Sequence, residues 1–71
     1  MDELKVKDDF IKLGQVLKAC GMVESGVEAK EVIQDGLVTV DGKVETQRGK
    51  KLKGGEIIEF NGQKVKIIPA E

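Results

Sequence analysis

Residues 46–55 read TQRGKKLKGG, and they hold four cations, Arg48, Lys50, Lys51 and Lys53, with no acid among them. Lysine offers a compact, mobile charge. Arginine offers a planar fork that grips two phosphate oxygens and stacks on a base. Gly49 lies among these cations and Gly54 and Gly55 follow them, which lets backbone approach a bulky surface. The chemistry this stretch supports is capture of a polyanion. Lys12, Lys18, Lys30 and Lys43 are further cations that could extend the same surface. Ser25 has no base near it in sequence, so it reads as a helix cap with anion-attracting amides behind it, not as a nucleophile.

What the chain lacks narrows the field further. It has no histidine, which removes His triads, His metal ligands and His pH switches. Its single cysteine, Cys20, forms neither an internal disulfide nor a multi-cysteine metal site. Asp8 with Asp9, and Glu56 with Glu59, are paired acids with no apolar pocket to tune them. No enzyme activity, cofactor or metal is expected.

The 71 residues, 39% hydrophobic, suffice for one small core, so one domain over 1–71 is expected. Twelve basic residues oppose 13 acidic ones, for a net charge of −1. That total is not the bulk signature of a nucleic-acid binder, yet a local basic patch still steers a polyanion. The two aromatics are Phe10 and Phe60, and Phe60 reads as core. Base stacking is therefore a minor mode, and shape and phosphate recognition suit the composition better. The longest apolar runs are two residues, and MDELKVKDDF does not resemble a secretory leader. A cytoplasmic protein with no membrane segment is expected.

The elements that must position these groups show in the spacing. Residues 4–7 alternate apolar and charged, as a short edge strand does. Leu13, Val16, Leu17 and Cys20 make one helical stripe, which places Cys20 inside, and Gly21 stops it. Ser25-Gly26-Val27-Glu28 matches a capping box opening a second helix through Ala29, Val32 and Ile33 to Gly36. The period then changes to two. Val38 and Val40 face one way, Asp41-Gly42 turns the chain, and Val44 returns. Residues 46–55 read as a loop anchored by Leu52. A second hairpin runs from Glu56 to Phe60, through Asn61-Gly62, and back along Lys64 to Ile68. Pro69 ends it. The expected fold is α+β: two short helices packed on a small, mostly antiparallel sheet of four to five short strands.

The joint order of these signals resembles a known family. Leu13-x-x-x-Leu17 precedes a glycine, and Ser25 opens a helix with Glu28-Ala29-Lys30. Gly36-Leu37-Val38-Thr39-Val40-Asp41-Gly42 follows, then Leu52-Lys53-Gly54-Gly55-Glu56-Ile57-Ile58. Over roughly 11–60 this is similar to the RNA-binding domain first named for ribosomal small-subunit protein four, the αL motif. ESGVEAK (24–30) and VDGKVETQRGKKL (40–52) resemble a bacterial subgroup in which that domain stands almost alone. The resemblance implies a non-catalytic binder of structured RNA, of the ribosomal or transfer class. Its surface would be a concavity between the two helices and residues 41–53. Lys12 and Lys30 fall at basic positions of the family. Gly26 stands where the wider family often has Arg, and Gly14 where it often has Asp. These departures shift the expected contact surface toward residues 46–53.

The charge map leaves a second reading open. Glu24, Glu28, Glu31 and Asp35 form an acidic face on the second helix. That face would suit an adaptor for a basic ribosomal or RNA-processing protein. On the RNA-binding reading the expected interface is Lys12, Lys18, Ser25, Lys30, Lys43, Arg48, Lys50, Lys51 and Lys53, carried by a monomer.

Overall fold

A computed structural model describes residues 1–70. Its helices start and stop where single residues satisfy the free backbone groups. α1 spans Leu13–Ala19 and α2 spans Gly26–Gln34. Both end on the same device. The Gly21 and Met22 amides donate to the carbonyls of Lys18 (3.2 Å) and Leu17 (2.9 Å). The Gly36 and Leu37 amides donate to Ile33 and Val32, each at 3.1 Å. This reversal needs a left-handed residue after the helix, and Gly21 and Gly36 adopt φ of 72° and 77°.

The strands are β1 (Asp2–Lys5), β2 (Ile11–Lys12), β3 (Val38–Val40), β4 (Lys43–Val44), β5 (Lys51–Leu52), β6 (Ile57–Phe60) and β7 (Gln63–Ile68). Five of them form one sheet in the order β1-β7-β6-β3-β4, while β2 and β5 form a separate antiparallel pair. The turns at Asp41-Gly42 and Asn61-Gly62 both have positive φ at each central residue, matching the mirror-image turn that suits strand twist. Asp41 does more than turn the chain. Its Oδ1 accepts the Ile57 amide at 2.9 Å, and its own amide donates to the Ile57 carbonyl at 2.8 Å. The first hairpin is thereby fastened to β6.

The register sorts side chains cleanly. Val38 pairs with Phe60, Val40 with Ile58, and Ile58 with Val65, so these residues share the face toward the helices. Thr39, Glu59 and Lys64 line up on the other face, with the acid directly opposite the lysine. Leu13, Val16 and Leu17 from α1, Ala29 and Ile33 from α2, and Val38, Ile58, Val65 and Ile67 from the sheet make one buried cluster.

The expected α+β fold is the observed one, with three differences. The first strand is Asp2–Lys5 and not 4–7, because its ladder begins with Asp2 opposite Val65 of β7, in parallel. Val6 adds one more bond, its amide to the Ile68 carbonyl at 2.8 Å. Second, the supposed loop 46–55 contains β5, which pairs with β2 through Ile11–Leu52 and Lys12–Lys51. Third, Cys20 is only partly covered, because it caps the end of α1, beyond the fully buried turn. Partial burial, and then the charge of Asp2, push its thiol pKa up, so it stays protonated and unreactive at neutral pH.

Leu52 is fully buried, and it ties the basic segment to the core. Replacing it by Ala should cost about 2–5 kcal/mol, comparable to the whole stability of so small a domain. Urea denaturation should show a largely unfolded chain without denaturant.

Candidate functional site

The basic segment is built onto the start of α1. A helix leaves its first amides without partners inside the helix. In α1, the Leu13 amide donates to the Lys50 carbonyl (2.9 Å) and the Gly14 amide to the Arg48 carbonyl (3.1 Å). The Lys12 amide is taken by the Gln15 side-chain oxygen at 2.9 Å. With the β2–β5 pairing, these bonds hold residues 48–52 rigidly against the helix end. On the far side of β5, the Glu56 carboxylate accepts the Lys53 and Gly54 amides at 3.0 and 2.8 Å, fixing the next turn.

The start of α2 is fixed in a related way. The Ser25 hydroxyl accepts the Glu28 amide at 3.2 Å. The Glu28 carboxylate reaches back one residue further than a capping box would, accepting the Glu24 amide at 2.8 Å. Ser25 is therefore spent as a cap, and Glu28 is occupied within its own helix end.

Between these two helix starts and the Arg48–Gly49 turn lies a hollow of about 370 Å³. Its walls are Lys12, Gly14, Gln15, Lys18, Gly26, Ala29, Arg48 and Gly49. Three are cations and none is an acid. At Gly26 the hollow opens outward, since a Cβ there would meet nothing within 4 Å. Lys12, Lys18 and Arg48 are all exposed, so their charges are available to a ligand.

The structure divides the residues expected to act together. Lys43, Lys50 and Lys51 line a different cleft, which they share with the acids Asp41, Glu45 and Glu56. Three cations facing three acids give little net potential. The Lys51 ammonium also sits 4.8 Å from the centre of the Phe10 ring, a cation–π contact. Lys30 and Lys53 are exposed and line neither recess. The two glycines that depart from the wider family, Gly14 and Gly26, both wall the hollow, and so does Gln15, which the sequence did not single out.

The protein resembles known ones in both sequence and fold. A family model described as "S4 domain", named for small-subunit protein four, matches residues 4–68. The chain belongs to the S4-domain family. The S4 domain is an RNA-binding domain, and this chain carries the fold of its αL motif. "Putative RNA-binding protein YbcJ" of Escherichia coli (strain K12) is 39% identical over 62 residues, covering 87% of this chain and 89% of that protein. The solution structure of E. coli YbcJ, described as revealing an αL motif involved in RNA-binding, superposes with a TM-score of 0.73 at 36% identity, covering 96% of this chain and 87% of that one. "Probable ribosome maturation protein RlbA" of Bacillus subtilis (strain 168) is 32% identical over 83% of each chain. A 44% match to ribosomal large subunit pseudouridine synthase B of the same organism covers 76% of this chain but only 22% of the enzyme. Among the described residues, no helix is long and apolar enough to cross a membrane.

Replacing Ser25 by Ala removes the cap on α2 and should cost about 1 kcal/mol. Hydrogen exchange should speed up at the Glu28 amide, with no matching change at the start of α1.

Proposed function

We propose that this protein is a non-catalytic binder of structured RNA, of the ribosomal or transfer class, working as a cytoplasmic monomer of a single domain. The observation that carries this reading is the acid-free hollow walled by Lys12, Lys18 and Arg48. A cation cluster at the junction of three fixed elements presents phosphate donors at little ordering cost. Lys12 and Lys18 neutralise phosphate charge, and Arg48 adds a planar fork that grips two oxygens. The Gln15 oxygen is already held by the Lys12 amide, which leaves its NH₂ to donate to a sugar or base oxygen. The aromatics are few, and Phe10 already has the Lys51 ammonium over one face, which favours recognition of a folded RNA by shape and phosphate. The names of YbcJ and RlbA support the RNA reading and a tie to ribosome maturation.

Within this reading the nine expected contacts carry unequal weight. Lys12, Lys18 and Arg48 take the phosphates nearest the hollow. Lys30 and Lys53 extend the surface at its margins. Lys43, Lys50 and Lys51 contribute less, because Asp41, Glu45 and Glu56 offset them. Ser25 acts by shaping the start of α2.

With three or four phosphates neutralised, affinity for bulk transfer RNA or ribosomal RNA fragments should fall by about one to two decades between 50 and 200 mM salt. Changing Lys12, Lys18 and Arg48 together to Ala should abolish most of that binding. The same change at Lys43, Lys50 and Lys51 should weaken it only modestly. Equal losses from the two triple variants, both still folded, would remove the hollow from the mechanism.

A further inference from the structure

One wall of the hollow has no side chain, and its bareness has a use. A Cβ on Gly14 would lie 2.6 Å from Cγ and 3.2 Å from Cδ of Arg48. Carbon atoms in good contact stay about 3.5–4.0 Å apart. The Arg48 stem therefore occupies the space that any other residue at 14 would fill. Neither backbone can retreat freely. The Gly14 amide is bonded to the Arg48 carbonyl at 3.1 Å, and the next bond along, Leu13 to Lys50, fixes the same turn.

We propose that Gly14 is a positioning residue for RNA binding: its bare Cα is the seat on which the Arg48 side chain lies, and this seat holds the guanidinium at the mouth of the hollow. The proposal rests on the RNA-binding reading and deepens it. Arg48 is exposed and belongs to a turn, so left to itself its long side chain would sample many rotamers. With its stem against Gly14, it lines the hollow together with Lys12, Lys18 and Gln15. The seat also works by exclusion. Because Gly14 is bonded through its backbone inside α1, a methyl group there displaces the arginine stem and leaves the helix in place.

The test compares Gly14→Ala, Arg48→Ala and the double variant, using bulk transfer RNA as probe from 50 to 200 mM salt. The Arg48 Nε–H resonance of the free protein is followed in parallel. Gly14→Ala should shift that resonance and weaken binding severalfold, lowering the salt slope by about 1, as loss of one phosphate contact does. The double variant should bind no worse than Arg48→Ala, because without the stem the methyl group meets nothing of the arginine side chain. If Gly14→Ala fails to fold, the double variant should fold, and its failure to do so would overturn the seat. The proposal is also overturned if Gly14→Ala leaves the Nε–H resonance unmoved, or costs as much affinity in the Arg48→Ala background as alone. Unchanged binding in Arg48→Ala would instead strike at the role of Arg48 in RNA binding, while the resonance still reports on the seat.

Discussion

Two hydrogen bonds organise the functional end of this domain: Leu13 to the Lys50 carbonyl and Gly14 to the Arg48 carbonyl. Without them, α1 would expose unpaired amides and residues 46–50 would be a solvated loop. With them, a stretch rich in charge and glycine becomes a wall of fixed shape. The β2–β5 pair and buried Leu52 continue the same seam into the core. The seam thus joins stability and recognition, since the apolar anchor that secures the fold also fixes where the cations stand.

An overall charge of −1 is compatible with RNA binding because the acids are placed elsewhere. Glu56 is turned onto the Lys53 and Gly54 amides, Glu28 onto the Glu24 amide, and Asp41 onto Ile57. These three carboxylates each have a structural task at a turn or a helix end. Among the described residues, no acid lines the hollow. Charge segregation over a few ångströms, not net charge, defines the surface.

The fold was legible in the sequence wherever the deciding interaction is local. Ser25 with Glu28 marks a helix start, Gly21 and Gly36 mark helix ends, and Asp-Gly and Asn-Gly mark hairpins. All of these involve residues within five positions of each other. What escaped is non-local. β2 and β5 have two residues each, too few for any period, and they exist only because Leu52 is drawn into the core beside Ile11. The candidate site was legible by residue type but not by grouping. Arg48 and Lys50 are two positions apart, yet the bonds to α1 turn the chain between them, so they line different recesses. No spacing rule brings Gly14 together with Arg48.

The pairing of β1 with β7 is parallel and joins the two ends of the described chain, and β2 with β5 closes a loop of about forty residues. Each helix and each hairpin can form from neighbours in sequence, but these two ladders must wait for distant segments to meet, and closing such loops costs chain entropy before any contact rewards it. The hollow is made by one of those late ladders. A chain with its helices and hairpins in place but that seam still open would have near-native secondary structure and no assembled recognition surface. The shape of the hollow therefore depends on long-range closure of the chain, not on its local helices and hairpins.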